Sequence, residues 1–245
     1  MRVSFDTNAW ERIFDSDDHQ FAALRTAIGR GLITGFICEA AFRIEAIRKR
    51  ERNRYFVAPH LGVRFEGIVV RDGLPYIGLS LGPRDESHPG LPAIQLAKLS
   101  RALALGVRVM RTQNWLGLPR PLELGDQSIF VTESTKAVRQ REKRQVEISG
   151  LIDARGLGKA AFDAVGGWST DCADEAELIR ACSEWGDGEL AAAHIAYDND
   201  VLCTADFGRS AGKSIFDPAN RLWLSVEYGV VFRTPSELLA DLVER

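Results

Sequence analysis

The chain has no apolar run approaching the roughly 18 residues of a membrane span. Its opening, MRVSFDTNAW, lacks the basic stretch and long apolar core of an export signal. Together these absences lead to the expectation of a cytoplasmic protein without a membrane partner. Cysteine is scarce: Cys38, Cys172, Cys182 and Cys203 stand far apart, with no CxxC pair and no Cys/His ladder. That spacing argues against a structural zinc site or a disulfide framework. Excess charge of either sign is also missing. With 31 Lys and Arg against 34 Asp and Glu, the formal net charge is -3, so no global field marks a nucleic-acid binder. Repeats and low-complexity tracts are absent.

What is present is the composition of a globular protein: 245 residues, 45% hydrophobic and 27% charged. At about 1.6 average domain lengths, one large domain or a core with an insertion is expected. Residues 2 to 6, RVSFD, read as a strand ending on Asp6, with a helix opening near Thr7 or Asn8. LITGFIC at 32 to 38 reads as a second strand, followed by an amphipathic helix from Glu39 to about Arg52. From about 55 to 125, Gly and Pro recur. This stretch carries a hairpin around Asp72-Gly73, a helix in PAIQLAKLSRALALG and a strand in VRVMRTQ. Helices follow over Ser134 to Ile148, Lys159 to Val165 and Asp174 to Trp185, with another beginning near Asp187. VLCTAD is a strand, and YGVVFRTPSELLADLVE a strand, turn and helix. Strands alternating with helices at both ends imply a parallel α/β sheet.

The first strand and VLCTAD run into Asp6 and Asp206, and the carboxyl ends of parallel strands are where ligands bind. Asp187 shares a helix face with Leu190, Ala191 and His194, the face turned toward the sheet. Inward carboxylates are costly unless paired, and no Lys or Arg lies within two residues of any of them. A hard cation, Mg²⁺ or Mn²⁺, is the simpler partner, which points to phosphoryl chemistry. An aspartate-nucleophile phosphatase fits less well, because its D-x-D is replaced by Asp6-Thr7-Asn8.

FDTNAW resembles the opening strand and D-x-N of the PIN-domain nucleases, and DGELAAAHIAYDNDVLCTAD resembles their D-x-x-[IL]-A-A helix followed by a strand ending T-x-D. YGVVFRTPSELLADL is similar to their closing strand and helix. The likeness covers about residues 2 to 52 and 170 to 243, and the order and spacing of its pieces carry it. It implies an α/β fold, a PIN-like α/β/α sandwich with a central parallel sheet and an inserted mixed α+β segment. The chain is then a single domain over 1–245, with its core in about 1–54 and 166–245 and an enlarged central region at 55–165.

The resemblance also implies a metal-dependent ribonuclease. Asp6, Asp187 and Asp206 match the first, third and fourth acids, and Asn8 and Thr204 match supporting polar positions. For the second acid both Glu39 and Glu45 are available. Six residues apart, they lie about 240° around a helix and cannot face one site equally. Glu45 is favoured because the family's acid lies a turn into its helix, whereas Glu39 suits the helix N-terminus. Asp6, Glu45, Asp187 and Asp206 are thus the expected metal ligands and catalytic acids. By the same resemblance the partners are an RNA substrate, a small antitoxin protein and a second copy in a homodimer. A PIN-like scaffold that has lost catalysis and serves as an RNA-binding or protein-interaction module is the alternative.

Arg43, Arg48, Lys49, Arg50, Arg52 and Arg54 form one basic tract, and Lys136, Arg139, Arg141, Lys143 and Arg144 another. Both are candidate phosphate contacts, against the simpler reading of solvated helix faces. His194 is expected to be a packed core histidine.

Overall fold

Val3, Ser4 and Phe5 are all buried, and a strand enclosed on both faces belongs in the interior of a sheet. The computed structural model describes residues 1–47, 51–52, 55–56, 61–71, 74–83, 88–112, 120–169, 174–208 and 213–243. Its strands are β1 (Arg2–Phe5), β2 (Thr34–Cys38), β3 (Leu61–Arg71), β4 (Leu74–Pro83), β5 (Arg108–Met110), β6 (Val201–Cys203) and β7 (Val231–Arg233). Five of them form one sheet in the order β5-β2-β1-β6-β7, with β1 at its centre. Every pairing in that sheet is parallel, and Phe5 stands opposite Ile37 on one side and Cys203 on the other. Strands β3 and β4 form a separate antiparallel hairpin.

The helices are α1 (Thr7–Ile13), α2 (Ala22–Gly29), α3 (Ala93–Ala104), α4 (Thr135–Asp153), α5 (Lys159–Ala164), α6 (Glu175–Ala196), α7 (Pro218–Tyr228) and α8 (Pro235–Val243). One face of the sheet packs Val3, Phe5 and Ile37 against Trp10, Ile13 and Leu24 of α1 and α2. The other packs Phe36, Cys38 and Leu202 against Trp185, Ala192 and Ile195 of α6. The alternation Phe36, Ile37, Cys38 between the two cores follows the period of two of a strand. Burying each such side chain is worth about 1.5–3 kcal/mol, so both layers hold the sheet firmly. The architecture is an α/β sandwich. No helix among the described residues is long and apolar enough to cross a membrane.

Three elements depart from the expectations. The stretch expected as an amphipathic helix, Glu39 to about Arg52, contains a five-residue π-helix, Ala41–Glu45, closed by a hydrogen bond from Ala46 N–H to the Ala41 carbonyl, and Glu51 and Arg52 are again helical. The two helices expected on either side of Gly186 are one, the 22-residue α6. There the glycines serve close approach rather than a stop: a methyl group on Gly188 would lie 2.8 Å from the Gly158 Cα. Third, β6 ends at Cys203, leaving Thr204 to act through its side chain. The central stretch contributes β5 to the main sheet, and Ile148, Ile152 and Phe162 from α4 and α5 join the core around α6.

Candidate active site

The chain leaves β1 and β6 at adjacent points of the sheet but toward opposite sides, the arrangement that opens a crevice beyond the strand ends. Asp6 is buried directly after the end of β1. It caps α1, its Oδ1 accepting the Thr7 N–H at 2.6 Å. Its Oδ2 accepts from Asn8 Nδ2 at 2.7 Å and from Thr204 Oγ1 at 2.6 Å. Thr204 Oγ1 accepts the Asp206 N–H at 2.9 Å, and Asn8 Oδ1 accepts the Ala205 N–H at 2.8 Å. Asn8 and Thr204 therefore tie the end of β1 to the end of β6. Asp206 lies partly exposed at the rim, its Oδ1 accepting the Gly208 N–H at 2.7 Å in an Asx-type turn.

Glu45, the last residue of the π-helix, is brought to Asp6. Its carboxyl is raised to about 7, chiefly by burial and next by the negative charge of Asp6, against a hydrogen bond from Thr7. Asp6 is raised to about 6 by burial, opposed by its bonds to Thr204 and Thr7, with Asp206 adding repulsion. Asp187, in the middle of α6, is pushed well above the ordinary carboxylate range by burial and then by Asp6, Glu45, Glu184 and Asp206. The charged neighbours acting most strongly on Asp187 are thus all carboxylates. The backbone of α6 admits Glu45 only because residue 186 is glycine, since a methyl group there would lie 2.2 Å from Glu45 Oε1.

Glu39 goes elsewhere. It is fully buried beyond the end of β2, accepting the Thr112 N–H at 3.1 Å and pairing with Arg120 and with Arg43 at 3.8 Å. Its charge is matched by two guanidinium groups, and it serves to close the β2–β5 edge. It also stands at the start of the helical turn, its carbonyl accepting the Phe42 and Arg43 N–H groups at 3.0 and 3.1 Å.

Two residues at this site carry no motif. Glu184 lies three residues before Asp187 on α6, a spacing that places both on one helix face. It is raised to about 7 by burial, opposed by bonds from the Gly158 and Ile215 N–H groups. The i, i+3 pair of acids was the available signal. Arg221, in α7, donates to the carbonyls of Phe216, at 2.8 Å, and of Asp206, and stacks on Phe232 with its guanidinium carbon 4.6 Å from the ring centroid. Its separation from Asp206 in sequence gave no sign of this.

Two members of the first basic tract, Arg43 and Arg52, are buried. Arg43 is 2% exposed, and Arg52, 5% exposed, donates to the carbonyls of Glu45, Ile47 and Ile179. Both are framework residues rather than phosphate contacts. Arg52 fastens the turn that carries Glu45. Arg48, Lys49, Arg50 and Arg54 lie outside the described residues. In the second tract, Arg141 is buried against Glu133 and Tyr197 and Arg144 pairs with Asp198, while Lys136 and Arg139 are exposed. His194 is buried with Nδ1 3.0 Å from Ser4 Oγ, and burial lowers it to about 4, the behaviour of a packed neutral histidine.

The donor set of Asp6, Glu45, Asp187 and Asp206 is all oxygen, suited to a hard cation. Among the described residues, no three His, Cys, Asp or Glu side chains are already arranged to hold a metal ion. Cys38, Cys182 and Cys203 are buried free thiols, and Cys172 lies outside the described residues. No protein-family model matches the chain, and no curated protein or solved structure matches it.

Proposed function

We propose that this chain is a divalent-metal-dependent phosphodiesterase, a ribonuclease of the PIN type, acting through Asp6, Glu45, Asp187 and Asp206. One observation carries the reading: Asp6, Glu45 and Asp187, from three segments, are held in a buried region where Asp6 acts on the charge of the other two, with Asp206 acting on Asp6 and Asp187. Such repulsion is costly in a fold that gains nothing from it, and a Mg²⁺ or Mn²⁺ ion would relieve it. When bound, the cation would supply charge neutralisation at the phosphodiester and make a water more acidic.

The chain's own contribution is orientation. Thr204, Asn8 and the Thr7 N–H fix both oxygens of Asp6, and the Thr204 hydroxyl joins Asp6 to the backbone of Asp206. Supporting groups of this kind set the direction of carboxylates at hydrolytic centres. The RNA preference, the antitoxin and the homodimer rest on the resemblance to PIN nucleases alone.

The test is cleavage of labelled single-stranded RNA, structured tRNA-like RNA and single-stranded DNA with Mn²⁺, Mg²⁺ or EDTA. Cutting of RNA that EDTA abolishes is the expected result, and cutting of DNA alone would replace the substrate. The alternative is the inert PIN-like module that binds RNA or protein. That reading expects RNA binding unaffected by metal and no turnover.

A further inference from the structure

Glu184 is 5% exposed, and one of its oxygens does two things. Oε1 accepts the Gly158 N–H at 3.3 Å and the Ile215 N–H at 3.0 Å. Gly158 precedes α5 and touches α6 at Gly188, the residue after Asp187. Ile215 lies in the stretch leading into α7, which is bound to the residues after β6 at two points. Arg221 donates to the carbonyls of both Asp206 and Phe216. In addition, a methyl group on Gly208 would lie 2.6 Å from the Asp217 nitrogen, so the two segments are in backbone contact. A chain of direct contacts thus runs from Asp187's own helix through Glu184 to Ile215, Phe216, Arg221 and the backbone of Asp206.

We propose that Glu184 is a positioning residue: by accepting the Gly158 and Ile215 N–H groups through Oε1, it holds the Asp206 segment against α6 and sets the separation of Asp206 from Asp187. The idea rests on the reading of these acids as one metal site. The rival role, a fifth charge that acts directly on the ion, needs the carboxylate itself. Positioning needs only an acceptor oxygen at the right reach.

Three variants separate the two roles. Glu184→Gln keeps an acceptor oxygen and the reach but loses the charge. Glu184→Asp keeps the charge and shortens the reach, and Glu184→Ala loses both. Amide hydrogen exchange reads the geometry without metal, because the Gly208 N–H is bonded to Asp206 itself. Mn²⁺ affinity by calorimetry reads the consequence.

The expected result is wild-type protection of Gly158, Ile215 and Gly208 in Glu184→Gln, with Mn²⁺ affinity within about threefold. Glu184→Asp should lose protection at all three amides and bind Mn²⁺ about 10- to 100-fold more weakly, in the range for groups that orient ligands. Glu184→Ala, where it folds, should behave like Glu184→Asp. Unchanged Gly208 protection in Glu184→Asp would overturn the proposal, as would weakened Mn²⁺ binding in Glu184→Gln with protection intact. A wild type that binds no Mn²⁺ would count against the metal-site reading, and Gly208 exchange in Glu184→Asp would still decide the positioning role.

Discussion

Gly186 and Glu45 compete for one volume: a methyl group on the first would lie 2.2 Å from Oε1 of the second. Glycine inside a helix costs roughly 0.5–1 kcal/mol relative to alanine, so Gly186 sacrifices helix stability to let a carboxylate approach. The obstructing atom is the far end of a flexible side chain, which can turn away. Gly186→Ala is therefore expected to fold with a melting temperature equal to or above wild type while Mn²⁺ affinity falls about tenfold or more. Gly188→Ala is the contrast, because its methyl group meets Gly158 backbone at 2.8 Å and cannot be avoided by a rotamer change. It should lose about 1–3 kcal/mol of stability. Thermal melts with calorimetry check both, and Gly186→Ala with unchanged Mn²⁺ affinity would remove Glu45 from the site.

Thr204 is fully buried and bonds Asp6 and Asp206 with one hydroxyl. Thr204→Val keeps the shape and leaves an Asp6 oxygen and the Asp206 N–H each short of a partner. The expected cost is about 1–3 kcal/mol in denaturant unfolding and about 10- to 100-fold in cleavage. Thr204→Ser should restore most of both. A valine variant with full activity would show that the hydroxyl does not orient the acids.

The parts of this site that were legible are those written in local sequence. Asp6 follows β1 directly, Asp206 comes three residues after the end of β6, and Asp187 lies on a buried stretch of α6, so strand ends and helix phase are the local signals for these three. Glu45 is favoured by the resemblance alone; the π-helix that carries it has a winding not encoded in apolar spacing, and the partner of Glu39, Arg120, is remote in sequence. Gly186 and Gly188 read as a helix break because the residues that need their space, Glu45 and Gly158, come from other segments. Arg43 and Arg52 read as surface cations, yet tertiary packing bonds Arg52 to three backbone carbonyls. The fold was legible where periodicity governs and obscure where distant segments meet.

The acids and His194 pull stability in opposite directions with pH. Asp6 at about 6 and Glu45 at about 7 lie above their ordinary 3.8 and 4.5, through burial first. Their contribution is complete below the ordinary values and is lost as pH rises through the raised ones. His194 falls from 6.5 to about 4, so its contribution is present above 6.5 and lost as pH falls toward 4, by about 3 kcal/mol. The two effects oppose each other below pH 6.5, and above it the acids act alone. In EDTA the melting temperature should fall between pH 6.5 and 8, and Mn²⁺ should raise it again at pH 8. A melting temperature that climbs over that interval in EDTA would contradict the account.

Asp187→Asn removes the carboxylate on which burial and four acidic neighbours act. In EDTA at pH 8 this variant should melt above wild type, and Mn²⁺ should stabilise it less. Melting below wild type would mean that the charge is compensated and the cluster is no cation site.

The most direct test of the central claim is the rate of single-stranded RNA cleavage in Mn²⁺ by wild type and by a folded Asp6→Asn protein, each repeated in EDTA. Cutting by wild type that stops in EDTA and is lost in Asp6→Asn is the predicted result. Cleavage undiminished in Asp6→Asn, or undiminished in EDTA, would contradict a metal-dependent nuclease built on these carboxylates.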